Sequence, residues 1–432
     1  MRLRAFLGVL LAALPAMAMG GVAMPDSAAG RVFAAWLDAF NSGERARLEA
    51  FARAHAPGRN ADDYLGWRGD TGAYELLEIF GGDQRNVFFR VKARSTGAEE
   101  VGRLQVSAAS LVTVAELGTW RVPPGVQVDA VRLDAKSRAR VVDSVADAFD
   151  STYVYPDVGK QMAAAVRGKE AGGAYRDAIF GQDLARRLAD DLREISHDKH
   201  VDVQFSFFAR PAEPPAAQSE RESRRLVAVN CGFAKAEHLK PNIGYLKFDV
   251  FGDPKVCAPT AAAAMTLLSD AEALILDLRQ NAGGAPGMSE FIATYLFDQR
   301  THLDDMYNRV EDTITESWTL PYVPGRKFLD KPVYVLVSSR TFSAAEALSY
   351  ELKHLKRATL VGETTLGGAH PTDTRRLDDH FSARVPFARS INPITRTNWE
   401  GVGVEPDVKV PAAEALDTAL KLATEAIRKD GK

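Results

Sequence analysis

The sequence predicts an α/β protein in which a large core of alternating strands and helices follows a helical segment and a smaller α+β module. Three observations predict it. From about residue 226 the hydrophobic pattern switches between short apolar runs and helix-spaced stretches, the alternation that builds a sheet with helices packed on it. Residues 136–196 carry the helical period alone. Residues 25–120 place helical spacing first and period-two alternation after it, the order of a compact α+β unit. At 432 residues the chain exceeds what one hydrophobic core holds, so two or three domains are expected.

The elements follow in order. Met1-Arg2-Leu3-Arg4 is a short basic start, and residues 5–19 form an apolar run broken only by Gly8 and Pro15. Small residues at Ala16-Met17-Ala18 and Gly21-Val22-Ala23 offer cleavage points, so residues 1–23 read as a secretory signal peptide, too short for a comfortable membrane span. No second apolar segment reaches spanning length. The expectation is a secreted or periplasmic protein with no membrane span once the leader is removed.

Residues 25–125 form the N-terminal module. Val32, Trp36 and Phe40 recur at helical spacing, and Leu48 and Phe51 continue a second helix. Residues 74–80, 86–92 and 103–106 alternate like strands, with Gly81-Gly82-Asp83 as a turn between the first two. This layout resembles the cone-shaped ketosteroid-isomerase-like fold; the likeness is one of fold and licenses no activity. Residues 130–205 form a helical subdomain. In its last helix Leu184, Leu188, Leu192 and Ile195 share one face, and the helix runs into Ser196-His197-Asp198-Lys199-His200 and a strand over 201–207. Residues 210–225, rich in Pro, Ser, Glu and Arg, read as an exposed connection. In the core, 226–412, strands are predicted over 243–250, 273–278, 333–337, 357–361 and 381–386. Helices are predicted over 261–268, from near Pro286, and over 344–355. Residues 412–432 close the chain as a helix.

Composition narrows function. Lys+Arg 54 against Asp+Glu 57 leaves a net charge of -3, which gives no electrostatic footprint for nucleic acid or an anionic membrane. Cys231 and Cys257 are the only cysteines; they form either one disulfide or a pair of inert buried thiols, and their spacing fits no metal or redox motif.

Two turns stand where apolar strands end and helices begin. One is Leu276-Asp277-Leu278-Arg279-Gln280-Asn281-Ala282-Gly283-Gly284. The other is Ser338-Ser339-Arg340-Thr341-Phe342-Ser343, with Ala344 opening the helix. A serine at such a junction is exposed by the turn, and the unpaired N–H groups of the helix start can bind a developing negative charge. Taken alone, Ser343-Ala344-Ala345-Glu346 also fits a capping box, Ser at the N-cap and Glu at N3, and capping is the commoner role of that pattern.

The ensemble raises Ser343 above a cap. Residues 277–284, 341–346 and Ala358-Thr359-Leu360-Val361-Gly362-Glu363-Thr364-Thr365-Leu366-Gly367-Gly368, in that order, resemble the C-terminal processing (tail-specific) serine peptidases. Asn242-Ile243-Gly244-Tyr245-Leu246 and residues 195–203 resemble the branch of the interphotoreceptor retinoid-binding protein and the tricorn core. The resemblance covers roughly residues 130–412. It implies a crotonase-like ββα spiral core after a helical subdomain, and a peptide or unfolded protein as substrate. It implies Ser343 as nucleophile and an oxyanion hole of backbone N–H groups from Gly283, Gly284 and Ala344. Many relatives place a lysine base where this chain has Gly368, so a Ser–Lys pair is absent. The tricorn branch uses histidine supported by glutamate; His200 and Glu400, in Asn398-Trp399-Glu400-Gly401, match them. A neutral imidazole suits that task near pH 7.

His370 is a reserve base, and His197 a secondary candidate better explained as a turn residue. His197 and His200 form a weak H-x-x-H pair without accompanying carboxylate or cysteine ligands, so no metal and no cofactor are expected. Asp277 and Arg279 read as holding their turn together. The interval 207–241 is too short for a peptide-tail-binding PDZ module. The leading reading is a metal-independent serine peptidase. The alternative is a catalytically silent binding protein for a lipophilic small molecule on the same fold. A ligand cup in the N-terminal module ranks last, and oligomer formation is left open.

Overall fold

In the N-terminal unit three helices precede the four-stranded sheet, and aromatic residues at helical spacing share one face of the first of them. The structure, a computed structural model, describes residues 18–19, 22–123, 125–126, 133–209 and 216–430; the expected leader over 1–23 lies almost wholly outside them. The chain divides into two units, residues 1–132 and 133–432.

The first unit contains α1 (Ala28–Ser42), α2 (Arg45–His55) and α3 (Ala61–Thr71), then the antiparallel strands β1 (Tyr74–Gly82), β2 (Asn86–Ala93), β3 (Glu99–Val106) and β4 (Val114–Arg121), paired in sequence order. Ser27 caps α1 by accepting the Gly30 N–H, and Gly43 ends it in the left-handed region. Phe33, Trp36 and Phe40 are fully buried from one face of α1 against Tyr74 and Phe89 of the sheet.

The second unit begins with α4 (Ala135–Thr152), α5 (Pro156–Ala171) and α6 (Gly181–Ser196), followed by β5 (Asp202–Phe205). Leu184, Leu188 and Leu192 of α6 are wholly buried, each contributing at most about 1.5–3 kcal/mol of apolar burial. Next comes α7 (Ala216–Ala228), where an exposed connection is expected from sequence. Ala, Gln, Glu and Arg are strong helix formers, so polarity there marks an exposed helix rather than a loop.

Beyond α7 lie β6 (Phe233–Leu239), β7 (Ile243–Phe248), α8 (Pro254–Leu267), β8 (Ala273–Asp277), α9 (Pro286–Thr294), β9 (His302–Asn308), β10 (Thr313–Trp318) and β11 (Val333–Val337). Then come α10 (Ala344–His354), β12 (Thr359–Gly362), β13 (Thr372–Arg376), β14 (Phe381–Pro386), β15 (Ala388–Ile391), β16 (Val408–Lys409) and α11 (Ala415–Asp430). The central sheet has the order β16-β12-β11-β8-β7-β6 and is parallel except for β6. Its strands divide their side chains between two cores. Leu274, Leu276, Val333, Val335, Val337 and Leu360 face α8, α9 and α10. Ile275, Tyr334, Leu336 and Val361 face Ala415, Ala419 and Ala423 of α11. Burial on both faces is why these strands read as unbroken apolar runs.

Two small sheets, β10-β9-β15 and β13-β14-β5, flank the core. The polar strands β9 and β10 carry no apolar alternation, and their pairing is a tertiary result. Cys231 and Cys257 form a disulfide, which resolves the pair left open by the sequence.

Candidate active site

The site forms where the parallel strands β8 and β11 end, as expected for an open α/β sheet whose loops carry function. After β8 the chain turns at Asp277, a buried carboxylate held by Arg279 Nη2 and Tyr245 Oη, both at 2.7 Å. Burial alone would raise its pKa, but these donors hold it below the ordinary value. Asn281 ties the two turns together: its side chain donates to Phe248 O at 2.9 Å, and its carbonyl accepts the Phe342 N–H at 3.1 Å.

After β11 comes Ser343. It occupies the N-cap of α10 with φ 55 and ψ -123, whereas an ordinary N-cap lies in the extended region. A non-glycine residue at such angles is strained, and strain of this kind persists where the surroundings over-determine it. Glu346 provides that determination. Its wholly buried carboxylate accepts the N–H groups of Ser343 at 2.9 Å, Gly367 at 2.6 Å and Gly368 at 2.8 Å, and the Thr365 hydroxyl at 2.5 Å. The capping pattern of the sequence is therefore present, and Glu346 also pins the 365–368 loop beneath the serine. Burial pushes the Glu346 pKa up, with the four donors pulling against it.

Ser343 and His200 line one cavity of about 470 Å³. His200 is buried, and its ring lies 4.4 Å from that of Phe342, the residue before the serine. A Cβ on Gly368 would stand 2.6 Å from His200 Cε1 and 2.6 Å from Phe342 Cζ. The space of one side chain is thus already taken by the imidazole. Burial depresses the His200 pKa to about 4, against the pull of Asp198.

The carboxylate nearest to His200 is Asp198. Its Oδ1 accepts the His200 backbone N–H at 2.9 Å and stands 3.7 Å from His200 Nδ1, a nitrogen with no hydrogen-bond partner. Asp198 Oδ2 lies 2.6 Å from His370 Nδ1 and accepts from Tyr153 Oη at 3.3 Å. Glu400 is matched in sequence to the support of His200, but here it lies beside the other histidine. Its Oε2 is 3.4 Å from His370 Nδ1 and accepts the Ala369 N–H at 2.5 Å. Burial and the charge of Asp198 raise the Glu400 pKa to about 7. Asp198, His370 and Glu400 bring one donor atom each within 4.8 Å of one another, a spacing that would also admit a cation.

The remaining candidates separate clearly. His197 is exposed and ends α6 in the left-handed region, donating its N–H to Arg193 O; it does not line the cavity. His370 is buried and lines it. Among the oxyanion-hole candidates, Gly283 must be corrected, because its N–H donates to Asn281 Oδ1 at 2.8 Å. Its φ of 92 and a would-be Cβ 2.6 Å from Ser343 Cβ show a glycine kept for close approach. The N–H groups of Gly284 and Ala344 have no partner among the described residues. Sequence reasoning passed over Asp198, whose signal was an acid two residues before His200 at the end of an amphipathic helix.

A serine on a strained strand-to-helix turn, with a histidine across the cleft and free N–H groups beside it, is the arrangement found in serine hydrolases. Residues 242–410 match Peptidase family S41, and residues 131–240 match the N-terminal domain of Peptidase_S41 in eukaryotic IRBP. The chain therefore carries a peptidase family S41 domain, preceded by the N-terminal domain found with it. It is similar to carboxyl-terminal-processing peptidase 2, chloroplastic, of Arabidopsis thaliana, with 29% identity over 202 residues, 45% of this chain and 38% of the relative. It is also similar to the carboxyl-terminal-processing protease of Synechocystis sp., with 28% identity over 233 residues, 53% of this chain and 52% of the relative. The chain spans about half or less of the length of these relatives. Among solved structures, mature CPAF shares the fold, with a TM-score of 0.50 at 13% identity over 69% of this chain and 99% of that one.

Proposed function

We propose that this protein is a secreted serine-type peptidase that hydrolyses peptide bonds with Ser343 as nucleophile and His200 as general base. One observation carries the reading: Ser343 is held at a strained N-cap and lines the same cavity as a buried histidine. Burial keeps the imidazole neutral at pH 7, the form a base requires. Ser343 Oγ attacks the peptide carbonyl carbon while its proton passes to His200. The carbonyl oxygen becomes an oxyanion, received by the N–H groups of Ala344 and Gly284. The C–N bond then breaks, and the proton on His200 goes to the leaving amine. Water, deprotonated by His200, hydrolyses the acyl-serine ester and restores the hydroxyl.

In this mechanism Asp198 orients His200. Its Oδ1 stands 3.7 Å from Nδ1 and closes to hydrogen-bond distance as substrate fills the cleft, as catalytic contacts tighten on binding. The Glu400–His370–Asp198 chain fixes Asp198 from behind. Four carboxyl groups and two histidines are among the residues lining the cavity, polar groups that a wholly apolar ligand would leave without partners. The disulfide supports an oxidising compartment, and no described helix is long and apolar enough to cross a membrane.

Ser343→Ala tests the reading. Hydrolysis of an unfolded-protein or peptide pool should fall by about 10⁴- to 10⁶-fold with the melting temperature preserved. Wild-type protein that cuts nothing in the pool, yet binds a retinoid or fatty acid stoichiometrically, would replace the peptidase with the binding protein.

A further inference from the structure

Beyond the reacting groups, the cavity contains acids that the mechanism leaves unused. Ala344, Ala347 and Glu351 of α10 all line it, so the cavity follows the helix for seven residues, about 10 Å at 1.5 Å each. At its far end Glu351 is 6% exposed, and its carboxyl group has no hydrogen bond or ion pair among the described residues. Asp304 of β9, also 6% exposed, accepts Ser390 Oγ on Oδ2 at 2.6 Å and leaves Oδ1 unpaired. Ser289 of α9 is 3% exposed with an unpaired Oγ. Glu290 stands beside them, engaged by Ser317 Oγ at 2.7 Å. No lysine or arginine is among the lining residues.

Buried acceptors without donors are costly, and their cost falls when a ligand supplies the donors. Burial drives Glu351 well above the ordinary carboxyl range, and the charges of Asp304 and Glu290 push it further. Burial likewise raises Asp304, to about 7. A buried positive charge would offset both the burial and the mutual repulsion of these acids. A metal ion does not suit these acids, because they do not bring donor atoms together as a metal requires; among the described residues only Asp198, His370 and Glu400 do so. An ammonium with three donors, or a guanidinium with five, on a long flexible stem suits dispersed acceptors at the end of a 10 Å channel (roughly, from the helix rise).

We propose that the Glu351–Asp304–Ser289 end of the cavity is a specificity pocket for a lysine or arginine side chain of the substrate, reached from the peptide bond held at Ser343. The logic is that of a carboxylate at the base of a serine protease pocket. It rests on the reading of Ser343 as nucleophile, and the test separates the two.

The test uses three peptides that differ at one residue: lysine, its uncharged isostere norleucine, or glutamate. Wild-type kcat/KM for the lysine peptide should exceed that for norleucine by roughly 30-fold or more, with the glutamate peptide poorest. Glu351→Gln should shrink the lysine-to-norleucine ratio by a comparable factor while raising the melting temperature. Asp304→Asn is the second variant, should one of them fail to fold. Equal turnover of the lysine and norleucine peptides, or a ratio untouched by Glu351→Gln, overturns the pocket and leaves the peptidase standing. If wild type cuts none of the peptides, binding of fluorescent copies to the full chain decides: a lysine preference lost in Glu351→Gln upholds the pocket and removes the peptidase, and no preference removes both.

Discussion

At Gly368 the absence of one Cβ leaves room for the His200 imidazole. A lysine there would drive its own stem into His200 and Phe342; histidine and lysine compete for one volume. Gly368→Ala should therefore lower kcat by about 100-fold, the scale of a 1 Å displacement of a catalytic group, with KM little changed. Turnover equal to wild type would show that His200 is not held by this contact. The protonation of His200 gives a second prediction. Asp198 raises its pKa while burial, His370 and Arg384 lower it, and burial dominates. The acid limb of kcat/KM for an uncharged peptide should fall well below the ordinary histidine range, near pH 4. A midpoint at about 6.5 would point to another base. His200 and Ser343 were legible in the sequence because ordered motifs surround them. Asp198 was not, because its role depends on sitting between two histidines that are 170 residues apart in the chain (370 − 200).

Scale up to the elements and the decisive contacts are those that hold turns in place. The N-terminus of α10, the 365–368 loop and the serine turn meet on the Glu346 carboxylate. The amide of a glutamine side chain offers one acceptor oxygen where four donors converge, so Glu346→Gln should cost roughly 3 kcal/mol of stability and lower kcat more than it raises KM. Unfolding and steady-state measurements check the two effects; loss of stability with intact kcat would make Glu346 a structural cap only. Apolar periodicity revealed α6, β8, β11 and α10, because each buries a continuous face. It missed β9 and β10, whose residues are polar and whose strand geometry comes from pairing with each other and with β15. It also took the helix α7 for a connection, because a polar helix and a polar loop differ in propensity but not in hydrophobic pattern.

Across the whole molecule, buried acids near the cavity set how stability depends on pH. Asp304 and Glu400 titrate near 7 in the folded state, above their unfolded values. Between about pH 4 and 7 the folded protein thus binds more protons than the unfolded chain, and the stability held at low pH is lost as pH rises through 7. His200 works in the opposite direction: its folded pKa is depressed, so stability is lost as pH falls from about 6.5 to 4. Asp304→Asn removes one raised carboxyl, and its gain in melting temperature should be larger at about pH 8 than at about pH 5. An equal gain at both values would show that Asp304 does not titrate in this window. Stability given up at a site that awaits a ligand is a common trade in enzymes.

The sequence by itself determined the α/β alternation of the core, the strand-to-helix turn that presents Ser343, the glycine at position 368, and the α+β order of the N-terminal unit. These are local: each follows from hydrophobic period, helix-start chemistry or the identity of one residue. Tertiary structure alone decided that Asp198 faces His200 while Glu400 faces His370, and that the Gly283 N–H is already engaged. It also decided that Glu351, Asp304 and Ser289 line the same cavity. The physical reason is the same in each case. Hydrogen bonding and burial act through space, and they join residues from different loops and elements whose order along the chain carries no trace of their distance.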